Sequence, residues 1–369
     1  MKHVLSDFDL GKDEVNEILT LSERIKLNPA KYGDSMKGKN LVMLFELASL
    51  RTRISFEAGM NRLGGHAIFY NIEGGDFTRS ETLEDGVRNL NRYVDCIMAR
   101  VLKQEAIERI GAVATVPVIN GMTEVYHPCQ NLADLLTIKE EKGRLEGLKI
   151  AYVGDGGCNT SNSTLVGCSS VGMDVAVICP DNPRYSPSPE MLSRAGTRAE
   201  GEITVSHDPA KGVKGADVIY TDVWVSAGME EEGKERLKAF PPYQVNARLV
   251  SHAKPDCIVM HCLPAHRGYE ITSDVMDSER SVVFNQAENR MHAQNGLLFW
   301  LLKRAVSHTP PFLLTTSPHN LLSMHGVLDV PRRSACGCDK QDVSDSTKGH
   351  SGLRWLGSGL HERRPGPHM

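Results

Sequence analysis

A chain of 369 residues is longer than one hydrophobic core usually serves, so two domains are expected. Hydrophobic residues make up 40% and charged residues 24%, and 42 basic against 46 acidic side chains leave a net charge of −4. That mild balance argues against nucleic acid or a membrane surface as the main partner, so any basic cluster must be local and matched to a small anion.

Residues 12–27 read as an amphipathic helix, with Val15, Ile18, Leu19 and Ile25 on one face and Ser22 interrupting it. After Pro29 and a loop with Gly33 and Gly38, the apolar run Leu41–Phe45 reads as a buried strand. Ser49–Arg53 leads into a helical pattern that continues through Leu63 and stops at Gly64-Gly65. Strands at Ala67–Tyr70, Cys96–Ala99 and Val116–Ile119 alternate with helical segments near 82–92 and 104–111, before a longer helix from about Gln130 to Lys142. A second series of strands is expected at Lys149–Val153, Asp174–Cys179, Ile203–Val205, Val218–Thr221, Cys257–His261 and Val282–Phe284. Helical stretches fill most of the gaps.

This alternation predicts an α/β fold of two domains, each a mostly parallel sheet flanked by helices. Their expected bounds are 1–140 and 148–285, with a last helix at 286–303 that returns to the first domain. Residues 304–369 are rich in His, Pro, Ser and Gly without periodicity, and read as a disordered or foreign tail.

The nine cysteines are scattered, with no paired CxxC array, which argues against structural zinc and a disulfide scaffold. Met1–Leu10 has no apolar signal core, and no run of 18 apolar residues occurs. The expected setting is the cytoplasm.

Three constellations carry chemistry. In Ser49-Leu50-Arg51-Thr52-Arg53 a strand ends, hydroxyl and guanidinium groups follow, and a helix begins. Helix N-termini leave backbone N–H groups unpaired, so the turn suits an anion such as phosphate. Alone, it equally fits a Ser or Thr cap with arginines facing solvent. In His127-Pro128-Cys129-Gln130, Pro128 stiffens a helix start and lets His127 and Gln130 point the same way. An imidazole and a carboxamide suit a carbamoyl group, though an isolated capping His would look the same. His261-Cys262-Leu263-Pro264 follows an apolar strand, where α/β proteins place ligands. Cys262 could suggest a thiol nucleophile, but no Cys/His/Asn set in a protease order accompanies it.

Taken in order, the three resemble the signature of the aspartate and ornithine carbamoyltransferase family. The resemblance spans residues 1–303 and includes Ala99-Arg100, Tyr152–Gly156 and Gln286–Arg290. The loop Asp222-Val223-Trp224-Val225-Ser226-Ala227-Gly228, with Asn159 and the cysteine of HCLP, is similar to the ornithine branch. Ala227 stands where that branch carries Met, and Leu50 where it carries Thr.

The resemblance implies that Ser49, Leu50, Arg51 and Thr52 cradle the phosphate of carbamoyl phosphate. Arg100 and His127, with Thr52 as a further candidate, would face its carbonyl oxygen. Gln130 and the backbone at Cys262 and Leu263 would hold its NH₂, and Arg290 would add a positive contact. Asn159, Asp222 and Ser226 would grip L-ornithine beside Ala227, while Asp222 and Cys262 both stand as candidates to position the amine or take its proton. The implied products are L-citrulline and phosphate, in arginine metabolism, with no metal and no other cofactor; putrescine is the alternative acceptor. The family also implies a homo-oligomer, a trimer or multiple of trimers, with the Asp76–Thr82 loop and its Arg79 entering a neighbour's site.

Two rivals come from other classes. Gly154-Asp155-Gly156-Gly157 after a strand suggests a dinucleotide-binding oxidoreductase, but the GxGxxG spacing is missing. A non-catalytic relative that only binds amino acids is opposed by the complete phosphate and carbamoyl sets.

Overall fold

The computed structural model describes residues 1–72, 81–225 and 230–307, the side chains of 230 and 304–307 excepted. Two parallel sheets organise them. The first holds four strands, β1 (Asn40–Phe45), β2 (His66–Asn71), β3 (Cys96–Arg100) and β4 (Val118–Met122), in the order β2-β1-β3-β4. The second holds five, β5 (Lys149–Val153), β6 (Asp174–Ile178), β7 (Ile203–Ser206), β8 (Val218–Thr221) and β9 (Ile258–His261), in the order β7-β6-β5-β8-β9. Central strands covered on both faces read as continuous apolar runs, which is why β1, β3, β5 and β8 were legible.

The longer helices are α1 (Lys12–Leu27), α2 (Leu50–Arg62), α3 (Leu83–Leu90), α4 (Gln104–Val113), α5 (Pro128–Lys142), α6 (Asn159–Ser170), α7 (Pro189–Gly196), α8 (Gly233–Ala239) and α9 (Val283–Ser307). Helix α5 begins with Pro128 in its first turn and stops at Gly143, whose φ of 74° supplies a left-handed cap. Every residue from Pro128 to Ile138 is buried, so α5 is an interior helix. It meets α6 at Gly167, where a Cβ would lie 1.7 Å from Nδ2 of Asn131. Helix α9 packs against α1, α5 and α2. The largest apolar core draws on both sheets, with Met43 of β1 and Val177 of β6 in one cluster. Each buried Leu, Ile or Val there contributes about 1.5–3 kcal/mol by leaving water.

Three expectations need correction. The run Val282–Phe284 is no strand: a single bridge joins Ser281 to Val259, and Gln286 N–H already bonds back to Val282 as a helix does. Helix α9 therefore starts at Val283, not 286, and it carries through Ser307, which removes 304–307 from the expected tail. Helix α2 starts at Leu50, so Arg51 and Thr52 lie inside its first turn instead of before it. The nature of residues 308–369 lies outside the described residues.

Candidate active site

All the candidate loops leave the carboxyl ends of parallel strands. The first sheet reverses its winding between β1 and β3, and the second between β5 and β8. Such reversals open the crevice in which α/β proteins bind ligands. Ser49 and Arg100 follow or end the first pair; Asn159 and Asp222 follow the second.

At the first switch point Ser49 caps α2, its Oγ accepting from Thr52 N–H. Thr52 Oγ1 is a meeting point: Ser49 Oγ donates to it at 3.1 Å, Arg290 Nη2 at 3.4 Å and Arg100 Nη1 at 3.5 Å. Arg100 is re-aimed by a register shift after Ala99, where Gly121 is skipped in the pairing of β3 with β4. A side chain at Gly121 would place its Cβ 2.5 Å from Met98 Sδ. Arg53 turns away, stacking over the Phe69 ring at 3.8 Å. Leu50 is exposed.

Three guanidinium groups thus face one another. Burial first, then Arg290 and Arg51, pulls Arg100 down to about 10, and burial lowers Arg290 as well. Neither Arg100 nor Arg290 forms an ion pair with a carboxylate among the described residues, and the Nε of each is buried without an acceptor. Like charges gathered without a carboxylate in direct contact are costly unless an anion is to arrive.

His127 and Gln130 converge here as their spacing predicts. Arg290 Nη1 lies 3.3 Å from His127 Nε2 and 2.5 Å from Gln130 Oε1. Burial, then Arg290 and Arg100, holds the imidazole well below its ordinary value, so it is neutral. Arginine can only donate, so Nε2 accepts and Nδ1 carries the proton. Gln130 Nε2 donates to Asp134 Oδ1, which also accepts from Gln286 Nε2, while Gln286 Oε1 accepts from His261 N–H. Sequence reasoning missed Asp134 and Gln286, which tie α5 to the HCLP strand end.

At the second switch point, Asp222 Oδ2 accepts from Thr160 Oγ1 at 2.9 Å, and Asn159 Nδ2 donates to Thr123 O at 2.6 Å. Asp155 and Arg236, both buried, pair at 2.6 Å, and Arg236 also donates to Trp224 O, pinning the GDGG turn against the Asp222 loop. That pair was also missed, since nothing local marks it. Leu263 sits in the left-handed region at φ 61°, its N–H held by His261 Nδ1, with a cis bond to Pro264. Ser226 and Ala227 lie outside the described residues, as do residues 76–80 with Arg79.

Asp222, His261 and Cys262 bring a carboxylate, an imidazole and a thiol within 4.8 Å of one another. The trio does not fit a metal. His261 Nδ1 accepts from Leu263 N–H and its Nε2 faces Glu270 at 3.0 Å, so no imidazole lone pair is free. Burial and the Asp222 carboxylate also push the Cys262 thiol far up, keeping its proton on.

Comparisons with known proteins give the family. Residues 2–140 match the aspartate/ornithine carbamoyltransferase carbamoyl-P binding domain, and residues 146–301 match the Asp/Orn binding domain. The chain belongs to the aspartate/ornithine carbamoyltransferase family. A relative named ornithine carbamoyltransferase from Carboxydothermus hydrogenoformans is 48% identical over 307 residues, covering 81% of this chain and 96% of the relative. The solved ornithine carbamoyltransferase of Pyrococcus furiosus superposes with a TM-score of 0.77 at 45% identity, covering 82% of this chain and 97% of that one. An acetylornithine transcarbamylase solved with acetylcitrulline follows at 30% identity and a TM-score of 0.73, covering 82% and 99%. The family members therefore share the two-sheet frame while differing in the acceptor named for them.

Proposed function

We propose that this chain transfers the carbamoyl group of carbamoyl phosphate to the δ-amine of L-ornithine, giving L-citrulline and phosphate. The observation that carries the reading is the pair Arg100 and Arg290, without a carboxylate ion pair among the described residues, meeting at Thr52 beside a neutral His127, with Arg51 close enough to lower Arg100. Residues 1–140 hold carbamoyl phosphate in this reading, and 148–285 bring the acceptor.

The N-terminus of α2, with Ser49, Leu50, Arg51 and Thr52, receives the phosphate through backbone N–H groups, hydroxyls and the Arg51 fork. Arg100 and the Nδ1–H of His127 are the donors for the carbonyl oxygen, where negative charge grows as the carbon becomes tetrahedral. One such donor is worth about 3–4 kcal/mol to the transition state. Gln130 and the Cys262–Leu263 backbone hold the carbamoyl NH₂, and Arg290 balances the leaving phosphate.

The ornithine side-chain amine has an ordinary pKa near about 10.4, by analogy with lysine, and must lose a proton before attack. A thiol held in its protonated form cannot accept that proton, so Asp222 is the candidate and Cys262 the neighbour that donates toward it. The amine lone pair then forms the C–N bond, the C–O bond to phosphate breaks, and the departing phosphate carries the second proton away. Asn159, Asp222 and Ser226 hold the amino-acid end, beside Ala227.

Ala227, smaller than the residue it replaces in the ornithine branch, supports a second reading in which another amine such as putrescine is the acceptor. The test is one panel with carbamoyl phosphate and ornithine, acetylornithine, putrescine, lysine or aspartate. Ornithine should give the highest kcat/KM; preference for another amine overturns the acceptor, and no product from any overturns the transfer reaction. A cytoplasmic, trimeric enzyme with Arg79 lent to a neighbour completes the proposal.

A further inference from the structure

The first ten residues are bound into the fold around His127. Val4 extends the first sheet beside β4, with Val4 N–H to Val118 O and Asn120 N–H to Val4 O, both 2.8 Å. A tight turn at Asp7–Asp9 follows, held by Asp9 Oδ2, which accepts from the N–H groups of Leu5 and Ser6 at 2.7 Å. Phe8 packs edge-on against Tyr126, and the Arg194 guanidinium lies 4.0 Å over its ring. This anchoring directs the Asp7 carboxyl inward, where it is 7% exposed.

Inside, one chain of hydrogen bonds runs from Asp7 to the site. Ser163 Oγ donates to Asp7 Oδ2 at 2.5 Å and accepts from the backbone N–H of His127 at 2.7 Å. A hydroxyl has one proton. With Asp7 taking it, the Ser163 lone pair must face His127, so the carboxylate fixes which way the serine points. His127 needs that support: it caps α5 with no side-chain cap bond of its own, and its ring meets Arg290 through Nε2 alone.

We propose that Asp7 is a positioning residue for His127, acting through the Ser163 hydroxyl. It rests on His127 serving the transfer reaction. The groups facing Asp7 are Asp9 on its own turn, Tyr126, Asn131 and Cys129 from α5 and its entry, and Ser163 and Cys168 from α6. None is a cation that would favour the ionised carboxylate. Burial lifts the Asp7 carboxyl to about 7, opposed by the Ser163 bond, so its charge changes within the working range of many enzymes.

Three variants test this in the full-length protein: Asp7→Leu, Ser163→Ala and Asp7→Asn. The first two should lower kcat by about 10- to 100-fold, the scale of a misplaced catalytic group, with the KM for carbamoyl phosphate changed less. Their combination should be no worse than either alone, because both break one chain. Asp7→Asn keeps an acceptor oxygen for the Ser163 hydroxyl and should recover most of kcat. A folded Asp7→Leu with the kcat of the parent overturns the proposal, as does an Asp7→Asn variant as slow as Asp7→Leu. If Asp7→Leu does not fold, Ser163→Ala decides by the same criterion. A parent chain that carbamoylates no acceptor at all is a different outcome; it overturns the function, and this role with it.

Discussion

Nη1 of Arg290 donates to Oε1 of Gln130 over 2.5 Å, although the two lie 160 positions apart in the chain. That bond orients the Gln130 carboxamide, whose amide then meets Asp134. It is also the shortest hydrogen bond that Arg290 makes, a guanidinium with no carboxylate ion pair among the described residues.

Arg290→Met should weaken carbamoyl phosphate binding about 10- to 100-fold, the loss of one charge-assisted contact of about 1.5–3 kcal/mol. Stability should move the other way. Removing a buried cation that lowers Arg100 relieves repulsion, so Tm should hold or rise. Isothermal titration and a melting curve check both halves; unchanged binding would remove Arg290 from the site.

Arg51→Ala should cost at least as much affinity. Its guanidinium is the candidate that can grip phosphate through two bonds, and it lies in the first turn of α2, where the helix adds partial positive charge. Inorganic phosphate inhibition is a simple readout: the inhibition constant should rise together with the carbamoyl phosphate KM.

Asp134 gives a stability prediction with a defined sign. Burial raises its carboxyl from an ordinary 3.8 to about 6, against bonds from Gln130 and Gln286. The folded state therefore holds this proton after the unfolded chain has lost it, so the group's contribution to stability falls as pH rises from about 4 to 6 and is flat beyond. Asp134→Asn keeps the acceptor oxygen and removes the titration. Its Tm relative to the parent should improve through that window, and a difference independent of pH would refute the assignment.

Arg236→Met should destabilise by about 3–5 kcal/mol, since it leaves the Asp155 carboxylate buried without its partner. Adding Asp155→Asn should return a large part of that loss. Denaturant melts of the two variants decide it: equal stability of single and double would mean that the pair is not the source.

Much of the fold was legible because its signals are local. A buried parallel strand, a hydroxyl cap and a proline in the first helical turn each occupy a few consecutive residues, as at Leu41–Phe45, Ser49 and Pro128. Val282–Phe284 misled because three apolar residues fit a strand or a helix start equally, and Phe284 turns out exposed. The supports were invisible for a different reason. Asp7 and Ser163, Asp155 and Arg236, and Asp134 and Gln286 meet only in the folded chain, 156, 81 and 152 positions apart. No periodicity encodes such a meeting.

Helix α9 carries Arg290 and begins only at Val283, after both sheets are finished. During synthesis, then, the growing polypeptide exposes the remaining candidate contacts to carbamoyl phosphate before the third guanidinium has emerged from the ribosome. Products cut short ahead of α9 lack that anchor, and they also leave uncovered the faces of α1 and α5 on which α9 packs. The proposed Arg290 contact and the covering of those faces thus wait for the same late segment.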